Sequence, residues 1–173
     1  MPAYQIRPLA ASADVIEALA EILVETVAHG GSVSFMHPLD YAVARAFWTD
    51  SLGAAARGER VVLGAWDGGL LVGTVTLVLD CPSNQPHRGE IAKMMTRVDH
   101  RGRGVARTLL AEAERLALAH GRSLLVLDTA SDGGASRLYE GLGYNLAGEI
   151  PGYALKPHGG LTGTRIYWKN ITA

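Results

Sequence analysis

Between a strand-like segment ending at Thr96 and a long amphipathic helical pattern lies Arg101-Gly102-Arg103-Gly104-Val105-Ala106-Arg107. Two glycines at such a junction let the backbone turn tightly and approach a ligand closely. The first N–H groups of the helix have no intrahelical partner, and the helix dipole adds partial positive charge there. Arg101, Arg103 and Arg107 add full charges. The combination suits a bound anion such as a pyrophosphate. Its spacing excludes two common phosphate sites. Gly-x-x-x-x-Gly-Lys-Ser/Thr is absent, so this is no P-loop. A dinucleotide fingerprint requires a small residue where Arg107 stands. Three further side chains could move protons: Glu90, Asp128 and Tyr139. A phenol is protonated at neutral pH and can donate, whereas a carboxylate can accept.

What the spacing does match is Arg/Gln-x-x-Gly-x-Gly/Ala, written here as Arg101 to Ala106. In that form it resembles the acetyl-CoA-binding motif of the GNAT superfamily of N-acetyltransferases. Leu138-Tyr139-Glu140-Gly141-Leu142-Gly143-Tyr144 resembles the second landmark of that superfamily, Phe/Leu-Tyr-x-x-x-Gly-Phe/Tyr. Four stretches, Glu25–Val27, Gly31–Met36, Leu127–Thr129 and Gly148–Tyr153, look like the tabtoxin resistance protein branch. Members of that type acetylate a small β-lactam-containing amino acid compound.

The resemblance implies acetyl-CoA as co-substrate and assigns roles to particular positions. Met94, Met95 and Thr96 supply a strand edge to the amide-rich pantetheine arm, which pairs with it as a peptide would. Arg101, Gly102, Arg103, Gly104, Val105, Ala106 and Arg107 hold the pyrophosphate. Tyr139 takes the place of a general acid for the leaving thiolate. Glu90 and Asp128 are both candidates for the base, each standing eleven residues before a motif residue, Arg101 and Tyr139 respectively. A base of ordinary carboxylate pKa is poor for an ammonium, so burial or mutual repulsion should raise one of the two. His37, His100 and His158 rank below the acids. For the acceptor, Ser34, Phe35 and Tyr153, with the loop around Lys156, suggest a compact enclosure with one cationic handle for a carboxylate. That favours a small zwitterionic, amino-acid-like or β-lactam acceptor, acetylated on an amine or a hydroxyl, over a basic peptide.

These residues need a scaffold. Tyr4–Arg7 reads as a first strand ended by Pro8. Asp14, with Glu17 in capping-box fashion, opens a helix whose apolar stripe is Val15, Leu19, Ile22, Leu23 and Val27. Pro38 suits the first turn of a second helix carrying Val43, Phe47, Leu52 and Ala56. Asp67-Gly68-Gly69 joins two strands as a hairpin. Glu90 opens a central strand, the long helix follows the glycines, and Asp128 ends the next strand. A short helix at Ala135–Leu142 and two last strands around Lys156–Gly160 complete the chain. The order β-α-α-β-β-β-α-β-α-β-β predicts an α/β fold with a mixed, mostly antiparallel sheet of about seven strands and about four helices. It is also the order of the GNAT fold.

Composition sets the outer bounds. A length of 173 residues, 48% apolar and 19% charged, fits one globular domain over residues 1–173. The net charge of −1 gives no global field toward nucleic acid or membrane. One cysteine, Cys81, offers no disulfide framework, and the six histidines show no metal-ligand pairing. No metal is expected. No signal peptide is evident and no apolar run approaches roughly 18 residues, so the expected compartment is the cytoplasm. A homodimer is the assembly the resemblance implies. Two other functions compete: acetylation of protein N-termini or lysines, and a non-catalytic acyl-CoA sensor. The presence of Glu90, Asp128 and Tyr139 together argues against the sensor.

Overall fold

The structure, a computed structural model, describes residues 4–172. The first strand, β1 (Gln5–Pro8), leads to α1 (Ala13–Ala28). Ser12 caps this helix, its hydroxyl accepting from the Val15 N–H at 3.3 Å. The cap therefore lies two residues before the expected Asp14, which instead sits in the first turn and complements the dipole. Leu19, Ile22, Leu23 and Val27 are fully buried, as the stripe requires. The second helix, α2 (Tyr41–Ala56), starts at Asp40 rather than Pro38. Asp40 accepts from the Ala42 N–H at 2.7 Å and so satisfies an otherwise orphaned donor, which a proline cannot do. The buried face of α2 carries Ala44, Trp48 and Leu52, while Val43 is exposed. Alanines occupy so many α2 positions that its stripe is weak, and the bulky Trp48 decides which side turns inward.

The remaining elements are β2 (Arg60–Asp67), β3 (Leu70–Val78), β4 (Arg88–Thr96), a single 3-10 turn (Val98–His100), α3 (Val105–Ala119), β5 (Leu124–Ala130), α4 (Ser136–Glu140), β6 (Asn145–Leu155) and β7 (Leu161–Asn170). The seven strands form one sheet in the order β1-β2-β3-β4-β5-β7-β6. This is the expected α/β order and sheet. Every neighbouring pair is antiparallel except β4–β5. A parallel pair needs a crossover, and α3 supplies it.

Two features of β4 shape the site. Its ladder with β5 runs only from Arg88↔Leu124 to Glu90↔Val126, after which the strands part. Its ladder with β3 shifts register between Thr74↔Met95 and Thr76↔Ala92, so Lys93 and Met94 together face Val75. This bulge turns Lys93 to φ 51°, a conformation uncommon outside glycine.

Helices cover both faces. One core gathers α1 and α2 against Val62, Leu71 and Met95. The other sets Leu109, Leu110 and Ala113 of α3 against Val72, Leu125, Leu127 and Tyr167. Gly73 permits this seating: a Cβ there would lie 2.7 Å from Val105 Cγ1 and 3.0 Å from the Met95 carbonyl oxygen. The start of α3 is thus held directly on β3.

Candidate active site

Where β4 and β5 separate, a cleft of about 870 Å³ opens. Its walls come from the α1 exit (Thr26, His29–Ser34), from β4 (Ile91–Thr96) and from the start of α3. Opposite stand the end of β5 (Asp128–Ala130), Leu138 and Tyr139 of α4, Tyr153–Leu155 of β6 and Thr162–Thr164 of β7.

On the β4 wall, the strand is paired with β3 on one side only beyond Glu90, so its other backbone edge is unpaired. The Met94 and Met95 side chains do not reach for a ligand. Met95 is buried in the α1/α2 core and Met94 packs against the α3 core. Alternation along the strand sends successive side chains to opposite faces and leaves the backbone, with Thr96, to form the wall.

Below that edge, Gly102 and Gly104 take φ values of 72° and 87°, and a Cβ on either would meet nothing within 4 Å. The helices α1 and α2 are capped by Ser12 and Asp40, whereas α3 begins at Gly104 with no side-chain cap. Among the described residues no side chain caps its first N–H groups, which lie on the cleft with partial positive charge. Arg101 and Arg107 line the same region; Arg103, expected there too, does not. The loop leading to the cradle is anchored from α1. Glu25 accepts from the Val98 N–H at 3.0 Å, and Arg97 reaches Glu21 at 2.6 Å and the Leu71 carbonyl at 2.8 Å. His100 is buried beside the cradle, its Nδ1 2.6 Å from Asp99 and its Nε2 3.6 Å from Asp67.

Across the cleft, Asp128 and Tyr139 are brought together. The Asp128 carboxylate accepts from the Thr164 hydroxyl at 3.0 Å, which fixes its orientation. Tyr139 is only 5% exposed, with Tyr144 edge-on at 5.8 Å and Tyr167 at 6.1 Å. Burial, and secondarily the Asp128 charge, push its phenol up to about 12. It keeps its proton through the neutral range and presents a donor.

Other expected residues fall elsewhere. Glu90 does not line the cleft: it stands opposite Val126 in the closed part of the β4–β5 ladder and pairs with Arg88. The two carboxylates are therefore not a facing pair. Phe35 turns away to pack edge-on against Phe47 at 5.2 Å, while its neighbour Ser34 lines the cleft. Tyr153 lines it too and is largely exposed. His37 and His158 lie against each other outside the cleft, ring centres 4.4 Å apart and tilted by 41°, and the latter's Nε2 lies 3.0 Å from the Ala28 carbonyl oxygen. Lys156, expected as the cationic handle, pairs with Asp132 at 3.3 Å. The residue that sequence reasoning passes over is Lys93. It lines the cleft from the β4 bulge, and its Nζ lies 3.2 Å from Ser34 Oγ.

A family model described as Acetyltransferase (GNAT) family matches residues 19–144, most of the chain and the whole of the β4–α3 cradle. The chain belongs to the acetyltransferase (GNAT) family. Solved acetyltransferase structures share its fold at low identity. An N-acetyltransferase from Staphylococcus aureus Mu50 is 19% identical with a TM-score of 0.81, over 98% of this chain and 99% of its own. A ribosomal-protein-alanine N-acetyltransferase from Brucella melitensis is 23% identical with a TM-score of 0.79, over 96% and 99%. A GNAT phosphinothricin acetyltransferase from Sinorhizobium meliloti, solved in complex with acetyl-CoA, is 20% identical with a TM-score of 0.80, over 99% and 89%.

Family membership makes this chain an acetyltransferase, and the S. meliloti neighbour was solved with acetyl-CoA bound. The residues present fit that molecule: an uncapped helix start, two glycines bordered by open space, and a free strand edge. Among the described residues, no helix of this GNAT chain is long and apolar enough to cross a membrane.

The cradle gives a direct test. Gly104→Val places a branched side chain where the protein has open space, at a φ that L residues rarely adopt. The strain costs about 1–2 kcal/mol, which a folded domain tolerates. Calorimetry should show acetyl-CoA affinity reduced at least ~10-fold in a variant that still melts cooperatively. Unchanged affinity would remove the cradle from this segment.

Proposed function

We propose that this GNAT enzyme transfers the acetyl group of acetyl-CoA to the amine of a small, amino-acid-like acceptor. The observation that carries the reading is the meeting of Asp128 and Tyr139 in one cleft, opposite the uncapped start of α3 and the free edge of β4.

The donor supplies an activated thioester. The chain's own residues do the rest. Backbone N–H groups at Val105–Arg107, with Arg101 and Arg107, hold the pyrophosphate by charge-assisted hydrogen bonds. The β4 edge lays the amide-bearing arm along the strand. Asp128, oriented by Thr164, draws in the cationic nitrogen of the acceptor. An ammonium loses two protons on becoming an amide: one ends on the leaving sulfur and the other goes to solvent. Asp128 takes a proton from the nitrogen side. Tyr139 donates a hydrogen bond on the sulfur side, where negative charge builds.

The stretches Glu25–Val27, Gly31–Met36, Leu127–Thr129 and Gly148–Tyr153 support placement near the tabtoxin resistance branch. That placement makes a toxin- or antibiotic-like amino acid compound the acceptor. The test measures thiol release from acetyl-CoA with amino acids and phosphinothricin beside polyamines, aminoglycosides and N-terminal peptides. Turnover concentrated on amino-acid-like compounds supports the reading. Preference for a basic peptide or an aminoglycoside overturns the acceptor and leaves acetyl transfer standing.

A further inference from the structure

Among the described residues, Ser34 and Lys93 are the non-glycine residues with positive φ, 75° and 51°. They lie 59 positions apart in sequence, yet their side chains meet inside the cleft with Nζ 3.2 Å from Oγ. Strained backbone costs of order 1–3 kcal/mol at each position and persists where the surroundings over-determine it. Here one strain comes from the β4 bulge and the other from the loop after α1, and both aim a polar group into the cleft. The Lys93 ammonium is half-buried and, among the described residues, has no carboxylate within ion-pair distance. One flank carries the Phe47 ring at 5.8 Å. Burial lowers its pKa, Arg60 adds to the lowering, and Asp128 pulls the other way. Asp128 is thus within Coulombic reach but is itself bonded to Thr164.

We propose that Lys93 and Ser34 form the subsite for the carboxylate of an amino acid acceptor. The inference rests on the acetyltransferase reading above and deepens it by naming what the acceptor must carry besides its amine. A half-buried ammonium whose hydrogen-bond partner is a neutral hydroxyl lacks a paired counter-charge, and a ligand anion provides it. Two donors converge on one spot: the Lys93 N–H groups, and the Ser34 O–H, whose oxygen already accepts from Lys93. They match the two oxygens of one carboxylate. Lys93 and Asp128 line the same cleft and the Asp128 charge acts on Lys93, so a carboxylate held at Lys93 leaves the amine of the same small molecule for Asp128. The cleft then has a cationic and an anionic pole, complementary to a zwitterion and not to a polycation. Lys156 already has a carboxylate partner in Asp132, which Lys93 lacks among the described residues.

The experiment uses the full chain with acetyl-CoA and reads thiol release on matched pairs, free L-amino acids against their carboxamides. The wild type should favour the acids. Lys93→Met preserves length and removes the charge. It should lower the acid-to-amide ratio of kcat/KM by about 30-fold, the effect falling on KM. Lys93→Arg should restore most of the ratio, and Ser34→Ala should lower it by a few-fold. Melting curves establish that each variant is folded. Equal loss on acid and amide in Lys93→Met would overturn the subsite, as would amides preferred by the wild type; acetyl transfer to amines would then still stand. Acetyl-CoA binding with no release from any amine in the panel would sink the acetyltransferase reading together with the subsite.

Discussion

Asp128→Asn should lower kcat/KM by about 10²- to 10³-fold, the scale of a lost general base, with acetyl-CoA affinity preserved. Asparagine keeps the shape and the Thr164 hydrogen bond but can neither accept a proton nor attract an ammonium. Glu90→Gln is the control. Glu90 lies outside the cleft in a half-exposed pair with Arg88, and pairs open to solvent carry about 0–1 kcal/mol, so kcat/KM should change less than about fivefold. If Asp128→Asn leaves the rate intact, the base is water or a histidine. If Glu90→Gln matches its effect, the role passes to Glu90 through an arrangement unlike the one described.

Tyr139→Phe should lower kcat by about 10²-fold with a modest change in acetyl-CoA affinity, because the ring stays packed against Tyr144 and Tyr167 while the donor is lost. The pH dependence has a definite sign. The folded-state pKa of Tyr139 is raised to about 12, above the ordinary value of about 10. Its contribution to stability is therefore complete below about pH 10 and lost as pH rises through about 12. Phenolate absorbance on raising pH should show late-ionising tyrosines, Tyr139 and Tyr144, both raised chiefly by burial. Tyr139→Phe should remove part of that late signal. An unchanged kcat would make Tyr139 a packing residue and leave the sulfur to be protonated by water.

How much of this was legible depended on distance along the chain. Arg101 to Arg107 are contiguous, so their place at the cleft, Arg103 excepted, could be read directly. The place of Tyr139 and Asp128 on the cleft was legible because each keeps its offset from a local motif. Glu90 keeps an equally regular offset and yet lies outside the cleft, because no residue type marks the point where the β4–β5 ladder ends. Lys93 was invisible for a related reason: a bulge at positive φ is usually flagged by glycine, and here a lysine occupies it. Lys156 was misread as free because its partner Asp132 belongs to another loop. Phe35 and Ser34 are neighbours in sequence that face a core and a cleft.

The brevity of the β4–β5 ladder has a mechanical side. Three residue pairs stitch the β1–β4 half of the sheet to the β5–β7–β6 half. On the α3 face the join is reinforced by the shared core and by the Lys169–Glu114 pair at 2.8 Å. On the α1/α2 face the core includes no residue of β5, β6 or β7. The sheet therefore has a seam, glued by a shared core along one face and joined along the other by loop contacts, such as the His37 N–H to the Pro157 carbonyl at 2.8 Å, and the cleft opens on that second side. A molecule that touches β4 and α3 on one bank and β5 and α4 on the other acts as a suture across it. Saturation at a hundredfold excess over Kd adds about 2.7 kcal/mol to the folded state. The gain should appear unevenly in amide hydrogen exchange, slowing β4 beyond Glu90 and β5 beyond Val126 more than β3, which is paired with β2 and β4. Uniform slowing would mean that the two halves already move as one plate.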